Sequence, residues 1–367
     1  MRILILTNND VGLYKFRKEL IEKLIEDKHK IIISLPYGSF VEELEKIGCA
    51  FVNTFIDRRG VNPLKDIQLL INYFKIIKKT KPDIILTYTI KPNIYGGIAA
   101  RILNIPYMVN ITGLGSALEK KGMLKNILFF LYKIIASKAN ALFYQNEANQ
   151  KKFKENRITN RNSILLPGSG VNLVSNTFEQ YPPNKNIKFL FVGRIMKDKG
   201  INELIEAIKI LRKTFNHLEF HVVGRCEDGY EKKIEKWSKE GLIIYHGQQD
   251  DVHAYMTKCH CLIHPSYHEG LSNVCLEAAA TGRPILASRI PGCIETFDEG
   301  ITGLGFESRN VKSLVVAIIK FIKIPYSEKE KMGILGRKKV EKIFDRKIVI
   351  DTYIKEIKNG GNTIEFI

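Results

Sequence analysis

The sequence predicts an α/β protein of two doubly wound, Rossmann-like domains that face a central cleft. Short β-like runs alternate with helical patterns along the chain, as they do in βαβ units with parallel sheets. A segment rich in Pro, Gly, Asn and Ser divides this alternation into two series. The chain has 367 residues, about the length of two domains.

The predicted strands are short, mostly apolar runs. In the first series they are Arg2–Thr7, Ile31–Ser34, Phe51–Thr54, Ile84–Leu86, Tyr107–Asn110, Ala141–Tyr144 and Ser163–Leu166. In the second they are Ile187–Val192, Leu218–Val223, Ile243–Tyr245, Cys261–His264, Ile285–Ala287 and Gly303–Phe306. Accordingly, we expect a first domain at 1–170, a linker at 171–186 and a second domain at 187–343, with a C-terminal helix at 344–367 that returns to the first domain.

The composition, 45% hydrophobic and 26% charged, is typical of a folded soluble protein. No run approaches the ~18 apolar residues that a membrane span needs, and the N-terminus predicts a strand rather than a signal peptide. Six scattered cysteines favour a reducing cytoplasm over a disulfide framework. Cys259, His260 and Cys261 lack a second half-site, so we expect no metal.

The net charge of +18 indicates an anionic partner. Half of it lies within 64–138, where two segments, 63–81 and 120–138, mix lysines with bulky apolar residues. Such helices can lie on an anionic membrane, although ordinary packed helices with solvated lysines are the alternative. Nucleic acid is disfavoured, because no nucleic-acid-binding motif is present. The candidate membrane contacts are Lys120, Lys121, Lys125, Phe129 and Phe130.

The glycine-containing loops of the first domain do not match a dinucleotide-binding site. Gly12 is the only glycine after the first strand, so G-x-G-x-x-G is absent there and NAD is disfavoured. A single glycine at a helix start still lets backbone N–H groups approach a phosphate. In the loop 108–122, Leu118 replaces the third glycine, and Thr112 and Ser116 are candidate acceptor contacts.

The second domain carries charged residues where strands meet helices. Gly193 ends a buried strand, and Arg194 and Lys199 flank the next loop, a combination suited to clamping a diphosphate. Further on, Glu269 precedes a helix and Glu277 lies inside it, where a carboxylate can reach ribose hydroxyls. The intervening turn would leave backbone N–H groups at Gly270 and Ser272 ready for a phosphate.

The segments GRIMKDKG (193–200), EGLSNVCLE (269–277) and PGCIETFDEGITGLGFE (291–307) resemble family 4 glycosyltransferases of the GT-B fold. The region 88–115 is similar to bacterial members that build capsule, O-antigen and lipid-linked oligosaccharides. Those enzymes often transfer a hexose or N-acetylhexosamine from a UDP-sugar to a sugar-diphospho-polyprenol. The resemblance therefore implies a UDP-sugar donor, a lipid-linked acceptor and a peripheral position on the cytoplasmic face of the plasma membrane.

The resemblance also implies roles for individual residues. Arg194 and Lys199 would hold the donor diphosphate, Glu269 would contact the donor sugar, and Glu277 would bind the ribose. The further implied donor contacts are Gly12, Gly193, Gln248, Gly270, Leu271 and Ser272. One departure stands out, because many relatives place a histidine in the first domain where this chain has Asn110 and Thr112.

Family 4 enzymes retain anomeric configuration, and the lack of D-x-D fits a metal-independent GT-B enzyme without a cofactor. Arg194, Lys199 and helix N-termini would then take the charge of the leaving UDP. Two alternatives are left open, namely a sugar-nucleotide epimerase or phosphorylase with the same two-domain architecture, and a sensor or structural subunit that binds nucleotide sugars without turnover. The donor sugar, the acceptor sugar and the linkage are left open.

Overall fold

The computed structural model describes residues 1–58, 60, 62–113, 123–183, 186–227 and 229–361. The chain divides into two compact units, one formed by Met1–Ser169 with the C-terminal residues from Lys347 onward, the other by Gly170–Arg346. Each predicted strand is present within two residues of its expected bounds. Ser116, Lys120 and Lys121 lie outside the described residues.

The first unit contains a seven-stranded parallel sheet among its described residues, in the order β3-β2-β1-β4-β5-β6-β7. The strands are β1 (Arg2–Leu6), β2 (Lys30–Leu35), β3 (Ala50–Asn53), β4 (Ile84–Tyr88), β5 (Tyr107–Ile111), β6 (Ala141–Tyr144) and β7 (Ser163–Leu165). The helices are α1 (Asp10–Glu26), α2 (Val41–Ile47), α3 (Pro63–Thr80), α4 (Gly97–Ile102), α5 (Met123–Ala136) and α6 (Glu147–Glu155), with a π-helical turn at Pro92–Gly96.

The second unit repeats this arrangement with a six-stranded parallel sheet among its described residues, in the order β10-β9-β8-β11-β12-β13. The strands are β8 (Ile187–Val192), β9 (Leu218–Val223), β10 (Ile244–Tyr245), β11 (Cys261–His264), β12 (Ile285–Ser288) and β13 (Gly303–Phe306). The helices are α7 (Ile201–Leu211), α8 (Glu231–Lys239), α9 (His253–Met256), α10 (Asn273–Ala280), α11 (Val311–Lys323) and α12 (Tyr326–Ile343). Both strand orders confirm the predicted doubly wound class.

The last helix, α13 (Arg346–Gly361), packs on the first unit. Val349, Tyr353 and Ile357 are buried in the same apolar cluster as the strand residues Ile3 and Ile33. The Tyr353 hydroxyl also donates a hydrogen bond to Asn110 Oδ1 at the end of β5. Helix α13 therefore contributes to the hydrophobic core of the first unit.

Residues 171–183 of the predicted linker are held on the second unit by specific contacts. Val171 N–H donates to Phe344 O at 2.8 Å, and the buried Tyr181 hydroxyl donates to His260 O at 2.9 Å. Arg283 is buried and donates to the carbonyls of Glu179 and Gln180, both at 3.0 Å. Burial lowers the pKa of Arg283 to about 10, and the carbonyl contacts compensate the buried guanidinium.

The outer helices α3 and α5 of the first unit expose large apolar side chains. On α3 the exposed residues are Leu64, Ile67 and Ile71, and on α5 they are Met123, Leu124, Ile127 and Phe130. Among the described helices, none combines the length and apolar character that crossing a membrane requires.

Candidate functional site

The candidate site of the second unit is built on the neighbouring strands β8 and β11, where the strand order changes direction. Arg194 and Lys199 follow the carboxyl end of β8, and Glu269 follows the carboxyl end of β11. Ligands of doubly wound sheets bind beyond the carboxyl ends of the strands at such a switch point. The sheet therefore brings together charged residues that are about 70 positions apart in the chain.

A close backbone approach joins these two loops. Gly200 has a φ of +71°, and a Cβ there would lie 2.0 Å from Pro265 O, so only glycine fits. Beside it, Tyr267 N–H donates to Asp198 O at 2.9 Å. These contacts set Lys199 against the loop that carries Glu269.

Lys199, Glu269 and His264 form one ionic cluster. Lys199 Nζ donates to Glu269 Oε1 at 2.5 Å, and His264 Nε2 lies 2.9 Å from the same oxygen. A carboxylate can only accept, so Nε2 of His264 carries a proton and donates it. The side chains of Lys199, Glu269 and His264 are 19%, 15% and 4% exposed, so the cluster is largely shielded from water.

The electrostatics of the cluster keep Glu269 ionised. Burial alone would raise the pKa of its carboxyl group, but the Lys199 ammonium and the His264 hydrogen bond together hold that pKa well below its usual range. For His264, burial alone would lower the pKa, whereas Cys275 and Glu269 raise it above the ordinary value. Both pKa shifts favour an ionised Glu269 that accepts from the Lys199 ammonium and from His264.

Sequence reasoning did not identify His264. Its ring is buried at the end of a fully buried strand, and its partner Glu269 lies five residues further along the chain. A histidine at the carboxyl end of such a strand, next to the loop with Glu269, was the available signal. Nδ1 of His264 is buried with no hydrogen-bond partner among the described residues.

Arg194, Gly193 and Gln248 lie on loops that backbone contacts join. Gly193 N–H donates to Val223 O at 3.0 Å, and Gly224 N–H donates to Gly247 O at 2.8 Å, immediately before Gln248. Arg194 is half-exposed and pairs with Glu227 at 3.1 Å, while Gln248 is exposed. The loops after β8, β9 and β10 thus lie side by side at the carboxyl-terminal edge of the second sheet.

Helix α10 begins as predicted, but one expected donor is used internally. The Ser272 side chain accepts from Cys275 N–H at 3.4 Å, which caps the helix. The Ser272 N–H, however, donates to Gly292 O at 2.7 Å, so the prediction that it is available to a phosphate is wrong. Leu271 is buried in the core and Glu277 is half-buried on the second turn.

In the first unit, Gly12 and Asn110 also use their polar groups in hydrogen bonds within the chain. The Gly12 N–H donates to the capping side chain of Asn9 at 2.6 Å, so it is not free for a donor phosphate as expected. Asn110, at one of the two positions where the resemblance implied a histidine, is buried; it donates to Thr87 O at 2.9 Å and accepts from Tyr353. Thr112 follows β5 and is half-buried.

The predicted membrane contacts on α5 separate into two groups. Phe130 is exposed and Lys125 is partly exposed, whereas Phe129 is only 6% exposed. The ring of Phe129 packs edge-on against Phe153, with centroids 6.0 Å apart. The prediction of a membrane contact is therefore wrong for Phe129, because its side of the helix faces the core.

The Cys259–Cys261 segment is part of the core. Nδ1 of His260 accepts from Lys188 N–H at 3.1 Å, and Nε2 lies 3.2 Å from Pro183 O, so both ring nitrogens have backbone partners. Within the described ranges, no group of three or more His, Cys, Asp or Glu residues could hold a metal ion.

Two family models match the chain in sequence order. A glycosyl transferase 4-like model matches residues 2–146, and a glycosyl transferases group 1 model matches residues 175–339. The matched ranges lie in the first and second units respectively.

Relatives with assigned names match nearly the whole chain. The N,N'-diacetylbacillosaminyl-diphospho-undecaprenol alpha-1,3-N-acetylgalactosaminyltransferase of Campylobacter jejuni is 25% identical, over 97% of this chain and 98% of its own. The capsular polysaccharide biosynthesis glycosyltransferase CapM of Staphylococcus aureus is 27% identical, over 96% and 97%.

Solved structures share the fold. A glycosyltransferase from Rickettsia africae superimposes with a TM-score of 0.80 at 19% identity, covering 98% of each chain. HepE of Anabaena, in complex with UDP and glucose, superimposes with a TM-score of 0.79 at 18% identity, covering 98% of this chain and 99% of its own. The family models and these folds agree with the motifs that follow β8 and β11, and the chain belongs to the family 4 glycosyltransferases of the GT-B fold.

Proposed function

We propose that this chain is a retaining, metal-independent hexosyltransferase. It moves a hexose or N-acetylhexosamine from a UDP-sugar to a polyprenyl-diphosphate-linked sugar, in the biosynthesis of bacterial capsule, O-antigen or a related glycan. The observation that carries the proposal is the ionic cluster of Lys199, Glu269 and His264 at the switch point of the second sheet.

The donor diphosphate is assigned to Arg194 and Lys199. An ammonium has three N–H donors and a guanidinium has five, so each cation keeps donors beyond its contact with Glu269 or Glu227. These donors can stabilise the negative charge that grows on UDP as it leaves. Glu277 would accept from ribose hydroxyls, and Gln248 would contact the uracil.

Glu269 is assigned to the donor sugar. Both of its ionic contacts use Oε1, and Oε2 takes part in neither of them. An ionised carboxylate held in this way can stabilise the positive charge of an oxocarbenium-like transition state. His264 is a positioning residue in this proposal, since it touches Glu269 rather than substrate.

The reaction proceeds with retention in a same-face displacement. The bond between the anomeric carbon and the UDP oxygen breaks, and a bond from that carbon to the acceptor oxygen forms on the same face. The acceptor proton passes to the departing diphosphate. No metal or organic cofactor takes part, so the cations of the chain carry the electrostatic role.

The acceptor and the location are supported by relatives and by surface chemistry. The relative in Campylobacter jejuni and a galactosyltransferase of Escherichia coli, 26% identical over 71% of this chain, are both named for diphospho-undecaprenol acceptors. The exposed Ile127 and Phe130 beside the lysines of α5 suit contact with an anionic membrane. We therefore place the enzyme on the cytoplasmic face of the plasma membrane, with the first unit binding the acceptor.

A panel assay tests the proposal. The chain is incubated with UDP-glucose, UDP-galactose, UDP-N-acetylglucosamine and UDP-N-acetylgalactosamine, each with and without a sugar-diphospho-undecaprenol acceptor. We expect one donor to yield a lengthened lipid-linked glycan with an unchanged anomeric configuration by NMR, equally well with excess EDTA. Epimerised UDP-sugar without acceptor, or binding without turnover for every pair, would contradict the proposal, and loss of activity with EDTA would contradict its metal-free part.

A further inference from the structure

The first unit has a concave surface at the amino-terminal edge of its sheet. A cavity of about 1210 Å³ is lined there by Arg2, the first residue of β1, and by residues that directly precede β4, β5 and β6. Thr112, the predicted acceptor contact, lies at the opposite edge, beyond the carboxyl end of β5. The cavity is therefore separate from the surface that the proposed reaction uses in this unit.

Five cations line this cavity, accompanied by one acidic side chain. The cations are Arg2, Lys78, Lys81, Arg101 and Lys138, and the acidic residue is Asp83. They come from β1, from α3 and the residue after it, from α4, and from the segment after α5. Residues far apart in sequence thus contribute charge of one sign to one concavity.

Internal contacts neutralise little of this charge. Asp83 accepts from the backbone N–H of Arg2 at 2.6 Å and lies 4.0 Å from its guanidinium. Arg101 donates to Ser137 Oγ at 3.1 Å and to Ile134 O, which are both neutral acceptors. Within the part of the chain that the structure describes, Lys78, Lys81 and Lys138 have no carboxylate partner within 4.0 Å.

The cations of the cavity outnumber its one carboxylate, and interaction with the C-termini of helices accounts for only part of this excess of positive charge. Three helices, α3, α4 and α5, end beside the cavity. Each helix C-terminus carries about −0.5 of an elementary charge, so together they offset about 1.5 of the cations. With Asp83 included, about 2.5 positive charges are left over. A surplus of this size matches a dianion or trianion rather than a single carboxylate.

We propose that this cavity binds a ligand that carries at least two phosphate groups. Lysine ammonium and arginine guanidinium are the side chains that bind phosphate oxygens best. The volume reaches the upper end of small-ligand pockets, which leaves room for a group attached to the phosphates. The diphosphate can belong to a free nucleotide or polyphosphate, or to a lipid headgroup.

Residue-resolved lysine acetylation of the full chain, read by mass spectrometry, tests the proposal first. Inorganic pyrophosphate is the probe, because it carries two phosphate groups. It would also occupy the proposed donor site at Lys199, but a readout at individual lysines separates the two sites. At ten times its Kd, a bound ligand slows modification of the lysines it covers about tenfold. We expect this protection at Lys78 and Lys138 but not at Lys75 and Lys79, which lie on α3 outside the cavity lining.

Charge-reversal variants supply the second measurement. The double variant Lys78→Glu/Lys138→Glu is compared with Lys75→Glu/Lys79→Glu, which has the same net charge. All four lysines are exposed, so both variants should fold, which thermal unfolding checks. By calorimetry, with Lys199→Ala as the background to remove the donor site, we expect pyrophosphate to bind at least tenfold more weakly to the first variant only.

Vesicles of phosphatidylcholine with and without cardiolipin, an anionic lipid whose headgroup carries two phosphate groups, distinguish the two sources of phosphate. If pyrophosphate and anionic vesicles both protect Lys78 and Lys138, the ligand is a lipid headgroup; if pyrophosphate alone protects them, it is a free phosphate compound. Protection by neither probe would overturn the proposal. Protection by vesicles alone, or equal weakening in both variants, would also overturn it, since the lysines would then be a general cationic surface. All of these outcomes are independent of the proposed transferase activity.

Discussion

The carboxyl-terminal edges of the two sheets share a topology but differ in chemistry. In the second unit, Lys199, Glu269 and His264 form a charged cluster. In the first unit, Asn110 near the end of β5 is bonded to Thr87 O and to the Tyr353 hydroxyl, and the guanidinium of Arg17 lies 5.8 Å from the centroid of the Tyr353 ring. Lys91, which follows β4, pairs with Asp66 at 2.6 Å. Both edges thus carry charged side chains, and the second unit differs in that a lysine and a histidine share one carboxylate oxygen.

The outer helices differ in a similar way. On α7 of the second unit, Ile210 is the large apolar residue that is exposed, whereas α5 of the first unit exposes Met123, Leu124, Ile127 and Phe130. Both helices cover one face of a doubly wound sheet, so coverage of the sheet does not explain the difference. The surplus on α5 is surface that remains available for a partner.

Replacement of Glu269 by Gln gives the largest expected effect. The amide keeps the shape of the side chain but loses the charge that Lys199 and His264 surround, so transition-state stabilisation falls. We expect kcat for sugar transfer to fall at least ~100-fold, as when one such contact is removed elsewhere. Glu307→Gln, at an exposed site on the same unit, is the control. Equal rates for both variants would remove Glu269 from the mechanism.

Asn110→Ala tests whether the hydrogen bonds at the end of β5 have a structural role. The change leaves Thr87 O and the Tyr353 hydroxyl buried without their partner, which costs about 2 kcal/mol in the free energy of unfolding. Urea titration measures this loss. Below the unfolding range, we expect kcat to stay within about threefold of wild type. A loss of kcat like that of Glu269→Gln, with stability unchanged, would show that Asn110 acts on substrate.

His264→Gln probes the charged edge through pH. Because the pKa of folded His264 is raised above 6.5, its stabilising contribution is complete below that value and is lost as pH rises through the raised pKa. We therefore expect the variant to lose about 1–2 kcal/mol in the free energy of unfolding at pH 6, and less at pH 8.

His246→Gln is the matched control for this pH dependence. Burial and His221 lower the pKa of His246, so its contribution has the opposite trend and is lost as pH falls through the lowered pKa. Urea titrations of both variants at pH 6 and pH 8 give the comparison. Parallel pH trends for the two would contradict the account of the cluster.

Ile127→Glu/Phe130→Glu gives the smallest expected effect and tests the outer helices. Placing two carboxylates on the exposed face of α5 removes apolar contact and adds repulsion from anionic lipid. We expect co-sedimentation with phosphatidylglycerol vesicles to weaken about tenfold, with UDP binding unchanged. Val316→Glu, an exposed apolar site on α11, should leave both unchanged. Unchanged co-sedimentation of the double variant would contradict the proposed contact between α5 and the membrane.

Two of the contacts that sequence reasoning missed involve partners from distant parts of the chain. Ser272 has a capping side chain that the sequence indicates, yet its N–H is taken by Gly292, twenty residues later. Phe129 lies on a helix whose apolar residues nearly encircle it, so periodicity could not select the buried side, and Phe153 of α6 does so. Local pattern carries no information about such partners.

By itself, the sequence determined the alternation of strands and helices, the two series and the residues that follow β8 and β11, because these depend on periodicity and on local turn chemistry. The tertiary structure decided that Lys199 and His264 share one oxygen of Glu269, that the Ser272 N–H donates to Gly292 O, and that Phe129 is buried. The reason is physical: hydrogen bonds, ion pairs and burial depend on distances in space, which parallel strand order sets and a linear pattern does not contain.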